Sequence, residues 1–119
     1  MKIRIAGLFV IALVTAGPGH AQQTTEVYIP IGESPGISAD ESWIGEIEAV
    51  DYSEMKLEVD TSRGMRTVKV DDRTRFYLDR SDYRKQNVYG DMRDCRVGRR
   101  VEVYVDEEGT ARWIKIRSE

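Results

Sequence analysis

The stretch "WIGEIEAVDYSEMKLEVDTSRGMRTVKVD", Trp43 to Asp71, decides the fold. Its apolar residues recur at every second position, the spacing of a strand with one face buried. In "WIGEIEAV", Trp43, Gly45, Ile47 and Ala49 alternate with Ile44, Glu46, Glu48 and Val50. "DYSE" then reads as a turn. In "MKLEVD", Met55, Leu57 and Val59 point one way and Lys56, Glu58 and Asp60 the other. "TSRG" is a second turn, with Gly64 free to take positive φ, and "MRTVKVD" directs Val68 and Val70 inward. Three short strands joined by tight turns make a meander.

The same reading extends downstream. Thr74 to Leu78 forms a short strand, with Phe76 and Leu78 on one face and Arg75 and Tyr77 on the other. After Asp79 the alternation stops, and "DRSDYRKQNVYG" (Asp79–Gly90) reads as a long loop. One helical turn follows near 91–95, capped by Asp91, with Met92 and Cys95 three apart on one side. "RRVEVYV" returns to strand with Val101, Val103 and Val105 inward, "DEEG" turns the chain, and "TARWIKIR" closes it. In that last run Ala111 and Trp113 fall on one face and Ile114 and Ile116 on the other, which calls for either a second apolar face or a bulge. The fold class is all-β. Evenly spaced short strands with one long connection before the last hairpin predict a five- or six-stranded antiparallel barrel of OB-like type, with an SH3-like barrel as the alternative.

Residues 44 to 117 resemble a class of small exported bacterial β-barrel domains of unknown function. The matching elements are "GEIEAVD" (Gly45, Ile47, Asp51), "DDRTRF" (Thr74, Phe76), "CRVGRRVEV" (Val97, Gly98, Val101, Val103) and "GTARWIKI" (Gly109, Ala111, Ile114). The resemblance implies the barrel fold, with core and turn residues at the matched positions. It implies no activity and no site residue. The Asp79–Gly90 loop departs from the simplest form of the pattern.

Upstream, Lys2 and Arg4 precede the apolar run "IAGLFVIALVTA" (Ile5–Ala16), and "GPGHA" supplies small residues at Gly19 and Ala21 ahead of Gln22. This is the layout of a signal peptide over 1–21. The run is shorter than the roughly 20 apolar residues of a membrane span, so no span is expected after cleavage. The localisation expected is periplasmic or secreted. The whole chain carries 18 Lys+Arg against 21 Asp+Glu, net −3; without Lys2 and Arg4 the remainder stands at 16 against 21, net −5. Cleavage also removes His20, the only histidine. Residues 22–42, "QQTTEVYIPIGESPGISADES", form a leader with two prolines around the apolar "VYIPI". It is expected either to lie extended against the domain as an edge strand or to be disordered. The domain proper is 43–119.

Composition excludes several functions. A net-negative exported domain whose cations sit among aspartates is a poor phosphate binder, so no nucleic-acid partner is expected. One cysteine and no histidine after cleavage leave no structural zinc site, and neither "DDRT" nor "DEEG" has calcium-loop spacing, so no metal or other cofactor is expected. Cys95 lacks a base partner and reads as a small buried apolar residue rather than a reactive or dimer-forming thiol. No catalytic residue is assigned, and the chain is not expected to be an enzyme. The function expected is a binding or assembly module acting through protein–protein contacts, with an unidentified protein or by self-association, and with the leader as donor strand. The alternative is an envelope glycan or small ligand on the 75–90 loop surface, where Arg75, Tyr77, Arg80, Tyr83 and Arg84 interleave cations with aromatics.

Overall fold

The structure is a computed structural model describing residues 25–38 and 40–119. The signal segment 1–21 and the start of the leader lie outside the described residues. Seven strands are present: β1 (Trp43–Asp51), β2 (Lys56–Thr61), β3 (Gly64–Lys69), β4 (Arg75–Asp79), β5 (Val88–Tyr89), β6 (Arg100–Val105) and β7 (Ala111–Arg117). Short 3-10 turns occupy Glu26–Tyr28, Ser81–Tyr83 and Met92–Asp94. The third is the expected helical turn: Asp91 accepts from the Arg93 N–H, and Asp94 reaches back to the Asp91 N–H.

The strands form one mixed sheet in the order β3-β2-β1-β6-β7-β4-β5. This corrects two expectations. There are seven strands, because the loop contains the two-residue β5. The sheet is also not a closed barrel; β3 and β5 end it without meeting. The chain leaves the sheet between β3 and β4, where the Asp71 N–H donates to Thr74 Oγ1 and the Thr74 N–H to the Asp71 carbonyl. Beyond β3 itself, an isolated bridge from Lys69 to Thr110 links its end to the start of the last hairpin strand. All neighbours are antiparallel except β4 and β7, which run parallel.

One face of the sheet carries the core: Ile47, Leu57, Val59, Val68, Val70, Cys95, Val101, Val103, Ala111, Ile114 and Ile116, with Trp43, Phe76, Leu78 and Met92 packed against them. Burying each large aliphatic side chain here contributes roughly 1.5–3 kcal/mol. Two bulges set who faces it. The first shifts the register between Ile47 and Ala49, so Ala49 is exposed and Val50 turns to the core. The second, opposite Tyr104/Val105, skips Arg112, so Ala111 joins the core while Trp113 faces away. Both readings of the last strand therefore apply, a bulge and a second buried face. Met55, expected to point inward, instead occupies the β1–β2 turn at φ 55. At Gly45 a Cβ would lie 2.0 Å from the Asp60 carbonyl oxygen, so β1 and β2 approach as they do only because this residue has none.

Candidate functional site: the leader-covered face of the sheet

On the opposite face, one row of in-register residues crosses five strands: Ile44 on β1, Glu102 on β6, Lys115 on β7, Tyr77 on β4 and Tyr89 on β5. Beside it, Tyr104 pairs with Trp113, and Arg117 with Asp79. β7 sits between β6 and β4, so its side chains on this face cannot reach the sheet edge. Lys115 and Glu102 are both 0% exposed.

A carboxylate or ammonium out of water must be paired and hydrogen-bonded. The leader supplies the partners. Lys115 Nζ lies 2.8 Å from Glu26 Oε1 and donates to Ser34 Oγ at 2.7 Å; Ser34 Oγ in turn donates to Glu26 Oε1 at 2.7 Å. Lys115 Nζ also stands 4.5 Å from the Trp113 ring centroid, a cation–π contact. Glu102 Oε1 accepts the Gly32 N–H at 2.9 Å, and Oε2 accepts the hydroxyls of Ser38 and Ser42, each at 2.6 Å. Asp79 Oδ2 accepts the Ile31 N–H at 2.9 Å, while Oδ1 accepts from Ser81. Burial pushes the Asp79 carboxyl up, but the Ser81 hydroxyl, the Ile31 and Ser81 N–H groups and Arg117 outweigh it and hold it below the ordinary carboxylate range. Val27 packs with Tyr77 and Trp113, with Ile37 and Tyr104 at the margin.

The described residues of the leader do not form the expected edge strand. They take a 3-10 turn at Glu26–Tyr28 and then a series of turns, and lie across the sheet face rather than along its edge. Two buried oxygens, Tyr77 Oη and Glu26 Oε2, have no hydrogen-bond partner among the described residues.

The five residues expected on the loop surface do not converge. Tyr77 is 1% exposed, its ring tilted against those of Tyr89 at 5.6 Å and Trp113 at 6.5 Å; burial pushes its hydroxyl up to about 12. It belongs to the leader-covered face, not to solvent, because β4 is an inner strand. Arg75 is exposed at the start of β4. Arg80 orders the loop itself: its N–H donates to Asn87 Oδ1 and its Nε to the Gln86 carbonyl. Tyr83 is 49% exposed, and Arg84 is exposed with φ 57. Cys95 is buried in the main core, where burial pushes its thiol up to about 12. Asp106 accepts from the Glu108 and Thr110 N–H groups and so closes a hairpin turn. Among the described residues no three His, Cys, Asp or Glu side chains are grouped to hold a metal. No helix among them is long and apolar enough to cross a membrane.

Sequence reasoning passed over Glu26, Ser34, Glu102 and Lys115. The available signal lay in "VEVYV" and "RWIKI": each charge shares its face with an aromatic, Tyr104 or Trp113. Chemically, this arrangement presents no free nucleophile. Lys115 is committed to Glu26 and Ser34, and Glu102 and Asp79 to backbone and hydroxyl donors. What it does is hold a polypeptide segment by alternating charged and backbone contacts. No family model, curated protein or solved structure matches the chain.

Proposed function

We propose that the chain is an exported, non-catalytic binding module that works through protein–protein contacts. The observation that carries this reading is the leader itself: Glu102, Asp79 and Lys115 hold it as a peptide ligand is held, by main-chain N–H groups, hydroxyls and one ion pair. Export rests on the pattern of residues 1–21 and places the module in the periplasm or outside the cell. The strand connections support an OB-like wiring left open: a three-stranded meander, its first strand against the first strand of the final hairpin, and a parallel pair formed by β4 and β7.

Further contacts would be made at the sheet ends. The two-residue turn at Ser62–Arg63 sets which backbone groups of β3 face β2, and those of Met65 and Thr67 face outward. Met65 is 50% exposed on that edge, and Val88 and Tyr89 are exposed on the other. A photo-crosslinking side chain at Met65 or Val88, used in cells, should give discrete adducts with protein. If neither position yields a protein adduct, while envelope sugars raise the melting temperature of the purified chain, the reading is wrong.

A further inference from the structure

Resting on that reading, we propose that the leader is exchanged between two copies of this chain: the leader of each docks on the Glu102–Lys115–Asp79 face of the other, giving a reciprocal two-fold dimer.

The first support is where the leader's polar anchors lead. Glu26, the Ile31 and Gly32 N–H groups and Ser38 all reach side chains of the sheet, across separations of 89, 48, 70 and 64 residues. Val27, one of its buried apolar residues, likewise packs on Tyr77 and Trp113 of the sheet. A second copy can supply each of these partners unchanged.

The second support is the cost of a bare face. Without a leader, Lys115 would lose Glu26 and Ser34, and Glu102 would lose Gly32 and Ser38, on inner strands of the sheet where a charge left unpaired is strongly unfavourable. The face therefore selects an occupant with an acid, a pair of adjacent N–H groups and hydroxyls in this order. The leader has that order, and every copy of the chain carries one.

The third is the joint. The chain reverses between Ile37 and Ser42, where the N–H groups of Asp40, Glu41 and Ser42 all converge on the single carbonyl of Ile37. This reversal joins the leader to β1 and helps direct it back onto its own sheet. Three donors share one acceptor, so opening the reversal gives up less than three independent hydrogen bonds. Ser42 adjoins β1, whose Ile44 pairs with Glu102, so in the exchanged form Glu102 would hold its own Ser42 and the partner's leader together.

The test uses the chain from Gln22 to Glu119. A variant lacking Asp40 and Glu41 cannot make the reversal; light scattering should find it dimeric at low micromolar concentration, and adding Glu26→Gln should weaken that dimer at least about tenfold. A folded, monomeric shortened variant overturns the proposal. If circular dichroism shows the shortened variant unfolded, the unmodified chain decides. Two differently tagged populations, mixed and incubated just below the melting temperature, should co-purify; populations that never mix overturn the proposal. Neither failure touches the edge contacts at Met65 and Val88, which do not involve the leader, so the general binding reading would survive it.

Discussion

The two faces of this sheet are held in place by different physics. On one, Ile47, Leu57, Val59, Val101, Val103, Ile114 and Ile116 interlock without a charged group. On the other, two carboxylates and an ammonium on the strands are matched to a leader bearing a carboxylate, N–H groups and hydroxyls. The aliphatic face is non-directional and tolerates any filling of the right volume. The ionic face is directional: each contact is worth little beyond the desolvation it offsets, yet removing one partner strands the other. The first specifies that a sheet forms, the second which segment covers it.

The largest effect should come from breaking the ionic face on one side only. Lys115→Met leaves Glu26 buried without its cation and should cost about 3–5 kcal/mol in chemical denaturation. Adding Glu26→Leu to that variant should recover most of the loss, which no truncation on the aliphatic face would do. Leu57→Ala, on that aliphatic face, should cost about 2–5 kcal/mol with no rescue by a distant change and no dependence on acid pH. The third contrast is pH. The native Asp79 carboxyl lies below its unfolded value, so its contribution is complete above the unfolded carboxylate value of about 3.9 and is lost as the pH falls through the lower native value. The protection of the Ile31 amide, measured against its intrinsic exchange rate, should therefore fall in that acid window before that of the β2 amides does. The smallest effect is expected at the turn. Met55 holds φ 55, which disfavours any side chain, so Met55→Gly should leave both faces intact and raise stability by up to about 1 kcal/mol.

The aliphatic face was legible in the sequence because its signal is local. Leu57 and Val59, or Val101 and Val103, alternate with polar neighbours within a single strand, and the turns at Ser62–Arg63 and Asp106–Gly109 are written in adjacent residues. The ionic face was not, because Glu26 and Lys115 are 89 residues apart and a charge in a strand ordinarily faces water. Tyr77 was misplaced for the same reason: alternation correctly set it opposite Phe76 and Leu78, but cannot say that a distant segment covers that side. The break between β3 and β4, which leaves the sheet open, rests on Asp71 and Thr74 bonding each other, a local turn that reads as ordinary loop chemistry. At Val97 the matched pattern implied a core or turn residue, and the residue lies 66% exposed in the turn before β6.

The bond between Glu26 and Lys115 has a consequence for how the molecule is completed. It joins the first 3-10 turn to the last strand, and loops of that span close late. A chain emerging N-terminus first can offer Asp79 to Ile31 and Glu102 to Gly32 and Ser38, but Glu26 waits until β7 has arrived and paired with both β6 and β4. Fixing of Glu26 is therefore a report on a strand 89 residues away. A copy lacking Lys115 leaves Glu26 without its cation, so the leader's resistance to a protease reports whether a β7 is in place beneath it.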